Sequence, residues 1–162
     1  MRWLSYFIFA YIMLGLQVGA ARAMQWNNAE PNFVILAVVF IALNAPRDVA
    51  LLACFILGAL QDLTAGGSMG LFAFSYGLVA LFIGGIQRAV DRRHAIAHFS
   101  VTLIAGVLTA MVLTAHQWIR PPGPRVLPLF CTSIYTAILA PLLLAILQRI
   151  SRVFRFERSP RR

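Results

Sequence analysis

The apolar positions of this chain fall into long unbroken runs divided by short polar breaks. Residues 3–20 (WLSYFIFAYIMLGLQVGA) carry no charge across 18 positions, residues 95–119 none across 25, and residues 126–148 none across 23. At 1.5 Å per helical residue, each run is long enough to cross a hydrocarbon core of ~30 Å. Three further segments lie between the first and the last two: 33–45 (FVILAVVFIALNA), 49–60 (VALLACFILGAL) and 71–87 (LFAFSYGLVALFIGGIQ). The break NAPRD at 44–48 predicts a tight turn joining two short spans, because Pro46 disfavours helical geometry at Ala45 while Arg47 and Asp48 prefer water. Each of those two spans would cover about 20 Å, and a single bent helix is the other reading. RAVDRRHA ends the fourth span, and IRPPGPR at 119–125 predicts a stiff turn before the last. The pattern predicts an all-α integral membrane protein with six short transmembrane helices. They form a single domain over 1–150, followed by a basic tail over 151–162.

Composition agrees. The 162 residues are 60% hydrophobic and 12% charged, about half the charged share of a soluble domain. All 14 basic residues are Arg. With six spans, 11 of them (Arg2, Arg47, Arg88, Arg92, Arg93 and the six from Arg149 onward) fall on one side, and Arg22, Arg120 and Arg125 on the other. The positive-inside rule then puts both termini in the cytoplasm. There the tail can meet anionic lipid, with Val153, Phe154 and Phe156 dipping into the interface. Topology thus explains the Arg excess without nucleic acid. A five-span alternative arises from Ala21-Arg22-Ala23, which resembles a signal-peptidase site. The single Arg before the run, and the run's length, argue for retention as a first helix.

Catalytic chemistry finds little support. The five acids, Glu30, Asp48, Asp62, Asp91 and Glu157, are scattered. No phosphate-binding loop or dinucleotide fingerprint is present. Cys54 and Cys131 sit in apolar runs and read as small core residues, and His94 and His98 read as interfacial rather than metal-binding. Trp26 and Trp118 read as interface anchors. The expectation is a protein that is not an enzyme, with no cofactor and no metal.

One stretch stands out: GALQDLTAGGSMGLFAFSYG at 58–77. Asp62 would end the third span. It reads either as a cap for the backbone N–H groups of the next segment or as a buried acid that binds a partner or substrate. Gly66 and Gly67 suit positive φ in the turn. Gly70, Ala73, Gly77, Ala80 and Gly84 recur at three- and four-residue spacing. They line one face of the fourth helix for close packing, within the bundle or on a partner. Leu71, Phe72, Phe74, Leu78, Leu81 and Phe82 would face lipid. Upstream, Pro31 and Asn32 read as a helix start.

These residues carry a family resemblance. PNFVILAVVFIAL, then Pro and a basic residue, then FILGALQDLTAGGSMGLFAFSYGLVAL resemble the MreD family of bacterial rod shape-determining membrane proteins. The resemblance is detailed over about residues 30 to 90, and length, span number and basic C-terminus agree over the rest. It implies a fold similar to the substrate-binding subunits of energy-coupling-factor vitamin importers. It also implies a non-catalytic inner-membrane role in regulating cell shape and lateral peptidoglycan synthesis. The implied partners are an MreC-like membrane protein, an MreB-like filament, a RodA-like glycosyltransferase and a penicillin-binding transpeptidase. Pro31, Asn32, Gly58, Asp62, Gly66, Gly67, Gly70 and Gly77 are the structural or partner-binding candidates. The alternative is a solute-binding importer subunit, which would draw on Asn44, Gln61, Asp62, Ser75, Tyr76, Thr102, Thr109, Thr114 and His116.

Overall fold

A computed structural model describes residues 3–24, 30–65, 70–87, 95–119 and 126–154. Among these residues there are six helices and no strand: α1 (Trp3–Ala23), α2 (Phe33–Asn44), α3 (Arg47–Ala65), α4 (Leu71–Ile86), α5 (Ala95–Ile119) and α6 (Val126–Phe154). Segments Arg47–Ala65, Ile96–Trp118 and Leu127–Leu147 are long and apolar enough to cross a membrane. Tyr6–Ala20, Phe33–Asn44 and Leu71–Ile86 are shorter apolar helices. The description of the six helices as short therefore fits α2 and α4, of 12 and 16 residues, and not α5 and α6, of 25 and 29.

The NAPRD break does separate two helices, but the third is longer than the apolar run. It starts at Arg47, not Val49, because Pro46 opens it: the Pro46 carbonyl accepts from Ala50 N–H at 2.8 Å, and a helix start does not need the missing proline N–H. Asp48 in the first turn faces the positive end of the helix. At the other end α3 runs past Leu60 to Ala65. Asp62 is thus carried on a helical turn instead of ending the span.

The core is organised around α2. Every residue from Phe33 to Leu43 is buried, and α2 packs against all five other helices. A helix that is apolar on every face suits either a protein core or lipid, and here its neighbours enclose it. Around it, α3 with α4 and α5 with α6 form two antiparallel hairpins, the most extensive helix pairings in the bundle.

The α3–α4 seam has a regular register. Residue 47 meets 84, 55 meets 77, 58 meets 73 and 62 meets 70, and each pairing contains a glycine. The tightest is Gly58. A methyl group there would lie 2.5 Å from Ala73 Cα and from the Phe72 carbonyl oxygen, so only hydrogen fits. Gly77 makes ordinary contact with Phe55 at 3.7 Å. In the α5–α6 hairpin, Gly106 plays a related part against Ser133, with a would-be methyl 2.8 Å from Ser133 Cβ.

Several expectations need correcting. Gly70 does not serve close packing: nothing lies within 4 Å of its would-be Cβ, and its φ is +93°. Its role is conformational, a left-handed residue that opens α4. On the small face of α4 the buried positions include Tyr76, Val79 and Ile83 as well as Ala73 and Ala80. Phe74, Leu78, Leu81 and Phe82 are exposed, whereas Leu71 and Phe72 are half-buried. Cys54 is buried, but Cys131 lies on the exposed face of α6. His98, expected at the interface, is buried. Trp118 is exposed. Gly66, Gly67, Trp26 and His94 lie outside the described residues.

Candidate functional site

Asp62 sits in the last full turn of α3 and is only 5% exposed. Its carboxylate accepts three backbone N–H bonds from the start of α4: Gly70 at 3.1 Å and Ala73 at 3.1 Å on Oδ2, and Phe72 at 3.0 Å on Oδ1. The first N–H groups of a helix have no partner within it, and they form its positive end. A carboxylate supplied by the preceding helix satisfies them and finds there the charge-compensating donors that burial denies it elsewhere. The left-handed Gly70 turns the chain so that its own N–H joins the set.

A second polar knot lies at the start of α2. Asn32 caps its own helix, Oδ1 accepting from Ile35 N–H at 3.1 Å. Asn32 N–H donates to Thr136 Oγ1 of α6 at 2.8 Å, and that hydroxyl in turn donates to the Thr132 carbonyl at 2.7 Å. Phe33 N–H donates to Gln17 Oε1 of α1 at 2.8 Å, while Gln17 Nε2 reaches the Pro31 carbonyl at 3.5 Å. Pro31 is buried and half-buried Asn32 extends its Nδ2 to the Tyr76 hydroxyl at 3.5 Å.

Tyr76 joins the two knots. It is fully buried and stands on α4 one turn beyond Ala73, whose N–H donates to Asp62, while its own hydroxyl meets Asn32 Nδ2. Asp62, Tyr76, Asn32, Gln17 and Thr136 thereby link α3, α4, α2, α1 and α6 in one polar layer at one end of the bundle. At the opposite end Gln87 closes α2: its Nε2 lies 3.0 Å from the Ala42, 2.7 Å from the Leu43 and 3.2 Å from the Ala45 carbonyl oxygens. Asn44 adds a bond from Nδ2 to the Phe40 carbonyl at 2.8 Å. A helix sealed from water must have its end groups met by protein, and α2 has both ends met.

The structure brings Pro31, Asn32, Asp62 and Gly70 to this layer and sets Gly58 one turn below Asp62. Gly77 lies further along the seam. Gln17, Thr136 and Gln87 were missed as functional positions. Only Gln17 carried a local signal, a lone amide within a charge-free run. Among the described residues, no group of three His, Cys, Asp or Glu side chains could hold a metal ion. The arrangement is suited to holding helices in fixed register, since the acceptors of Asp62 are already engaged by backbone.

Such a chain is a polytopic α-helical membrane protein, built on a buried central helix whose ends are tied off by its neighbours. It belongs to the MreD family: the profile for rod shape-determining protein MreD matches residues 1–154. Membership gives it a role in determining rod shape, as a structural component of a family associated with the MreC and MreB shape complex. Comparison with curated proteins and with solved structures returned no match.

Proposed function

We propose that this protein is a non-catalytic inner-membrane component of the cell-wall elongation complex. It regulates cell shape and lateral peptidoglycan synthesis by holding partner membrane proteins. The supporting observation is the use made of Asp62. Both carboxylate oxygens are taken up by backbone N–H groups of α4, so the acid stiffens a hairpin and is not available to a substrate. The outer faces of that hairpin and of α6 carry large apolar side chains, among them Phe74, Leu81, Ile138 and Leu142. In a bilayer, such faces associate by packing. The partners of this reading are an MreC-like membrane protein first, then an MreB-like filament, a RodA-like glycosyltransferase and a penicillin-binding transpeptidase. Both termini lie in the cytoplasm, which puts the basic tail on anionic lipid.

Photo-reactive residues placed one at a time along 71–84 and 126–148 test this in living rod-shaped cells. Crosslinks to an MreC-like protein should come from exposed positions such as Phe74 and Ile138 and not from buried Ala80 or Ala137. Normal protein levels without a crosslink to any wall-synthesis protein would sink the proposal.

A second reading, a solute-binding subunit, is favoured by one observation: Gln61 Oε1, Thr102 Oγ1 and Thr114 Oγ1 are buried with no hydrogen-bond partner among the described residues. Co-purification of a stoichiometric small molecule, lost in Gln61→Leu, would select it over the adaptor.

A further inference from the structure

At the end of the α3–α4 seam opposite Asp62, Arg47 lies across Gly84. A methyl group on Gly84 would come within 3.2 Å of Arg47 Cγ and 3.7 Å of Cδ and Nε. The glycine therefore leaves a shallow floor on which the Arg47 stem rests flat. The residue remains exposed, and among the described residues it has neither an ion pair nor a hydrogen bond. A long flexible cation is held by its stem while no acceptor among the described residues meets its planar fork of donors.

The depth of this position indicates what occupies it. Arg47 is the first residue of the 19-residue apolar segment Arg47–Ala65, and Gly84 lies in the last turn of α4. Both are at the apolar boundary, where lipid phosphates sit. One turn deeper on α4 is Leu81, 52% exposed, and two turns deeper on α3 is Phe55, 52% exposed. An apolar surface thus runs along the seam directly beneath the cation. A phosphate above an acyl chain matches both halves, whereas an acidic peptide matches only the first. In the sequence, the α4–α5 connection carries Arg88, Arg92 and Arg93 against Asp91, a positive excess.

We propose that Arg47, laid over Gly84, forms a binding site for the headgroup of an anionic phospholipid whose chain lies along the α3–α4 seam. The site is independent of the adaptor reading: it stands whether or not wall-synthesis partners are crosslinked.

Native mass spectrometry of the full-length protein released from micelles doped with equal phosphatidylglycerol and phosphatidylcholine tests it. The wild-type protein should retain phosphatidylglycerol selectively. Arg47→Gln should lower that retention about fivefold, and Gly84→Leu should lower it by lifting the stem. Arg47→Lys should keep part of it, because a point charge replaces a bidentate fork. Arg149→Gln, which removes an equal charge from exposed α6, should change it little. Equal losses from Arg47→Gln and Arg149→Gln, or no loss from the former, would overturn the site in favour of diffuse attraction. Displacement of the lipid by millimolar inorganic phosphate would overturn it in favour of a free-anion site.

Discussion

The two helical hairpins solve the same packing problem with different parts. In α3–α4, Gly58 meets backbone, the Cα of Ala73 and the carbonyl of Phe72. The turn is locked by a carboxylate reaching 8 to 11 residues forward. In α5–α6, Gly106 meets mainly a side chain, Ser133. Two hydroxyls on that pair bond within their own helices, Thr109 to the Ala105 carbonyl and Ser133 to the Leu129 carbonyl. The first hairpin has its register specified by directional bonds and backbone contact. In the second, the closest approach at a described glycine is the side-chain contact of Gly106 with Ser133. Among mutual apolar surfaces in lipid, packing alone discriminates weakly between registers, so the first hairpin is the reference against which the rest is set.

Substitutions at five positions probe that difference, ordered by expected effect on thermal stability in detergent. Asp62→Ala should be the most damaging, at about 3 kcal/mol or more, since each abandoned buried donor costs about 1–3 kcal/mol. Asp62→Asn, which keeps one acceptor oxygen, should recover part of the loss. Equal stability of Asp62→Ala and wild type would remove the lock from the account. Gly58→Ala should cost about 1–3 kcal/mol by overpacking, and no side-chain truncation on α4 should rescue it because the clash is with backbone. Gly106→Ala should cost less, and Ser133→Gly should rescue it. Failure of that rescue would mean the two crossings are alike. Gly70→Ala should cost about 1 kcal/mol or slightly more for imposing a side chain on a left-handed backbone. Gly77→Ala, in open contact at 3.7 Å, should be neutral or stabilising by up to about 1 kcal/mol through helix propensity. A larger loss at Gly77 than at Gly70 would reverse the roles assigned to them.

Helix number, the start of α1 and both limits of α5 were legible because charge-free runs and proline-rich breaks are local signals. So was the importance of 58–77, where an acid and several glycines interrupt an apolar chain. The division of labour inside it was less so. Gly70 shares its spacing with Ala73 and Gly77, and nothing in that spacing distinguishes a glycine needed for φ from one needed for room. The polar layer was hidden for another reason. Gln17 and Phe33 are 16 positions apart, Asn32 and Thr136 are 104, and Gln87 and Ala42 are 45, so no window along the chain contains both partners. Hydrophobicity could not rank α2 above α1 either, because lipid tails and protein interior are equally welcoming to Leu and Ile. The clue was subtler: α2 has no polar residue between Phe33 and Leu43, while α1 carries Gln17.

The sealed state of α2 has a consequence for biogenesis. At 12 residues it spans about 18 Å, short of a hydrocarbon core of ~30 Å, so it depends on its neighbours. Its end groups are then met in the order in which the ribosome delivers their partners: Gln17 is already present, Gln87 comes with the end of α4, and Thr136 arrives only with the final helix. Until α6 emerges, the Asn32 N–H lacks the hydroxyl that completes its cap. A chain ending before Thr136 therefore leaves that N–H without its hydroxyl partner, and such a truncation should be lost faster than the full-length protein in a pulse-chase.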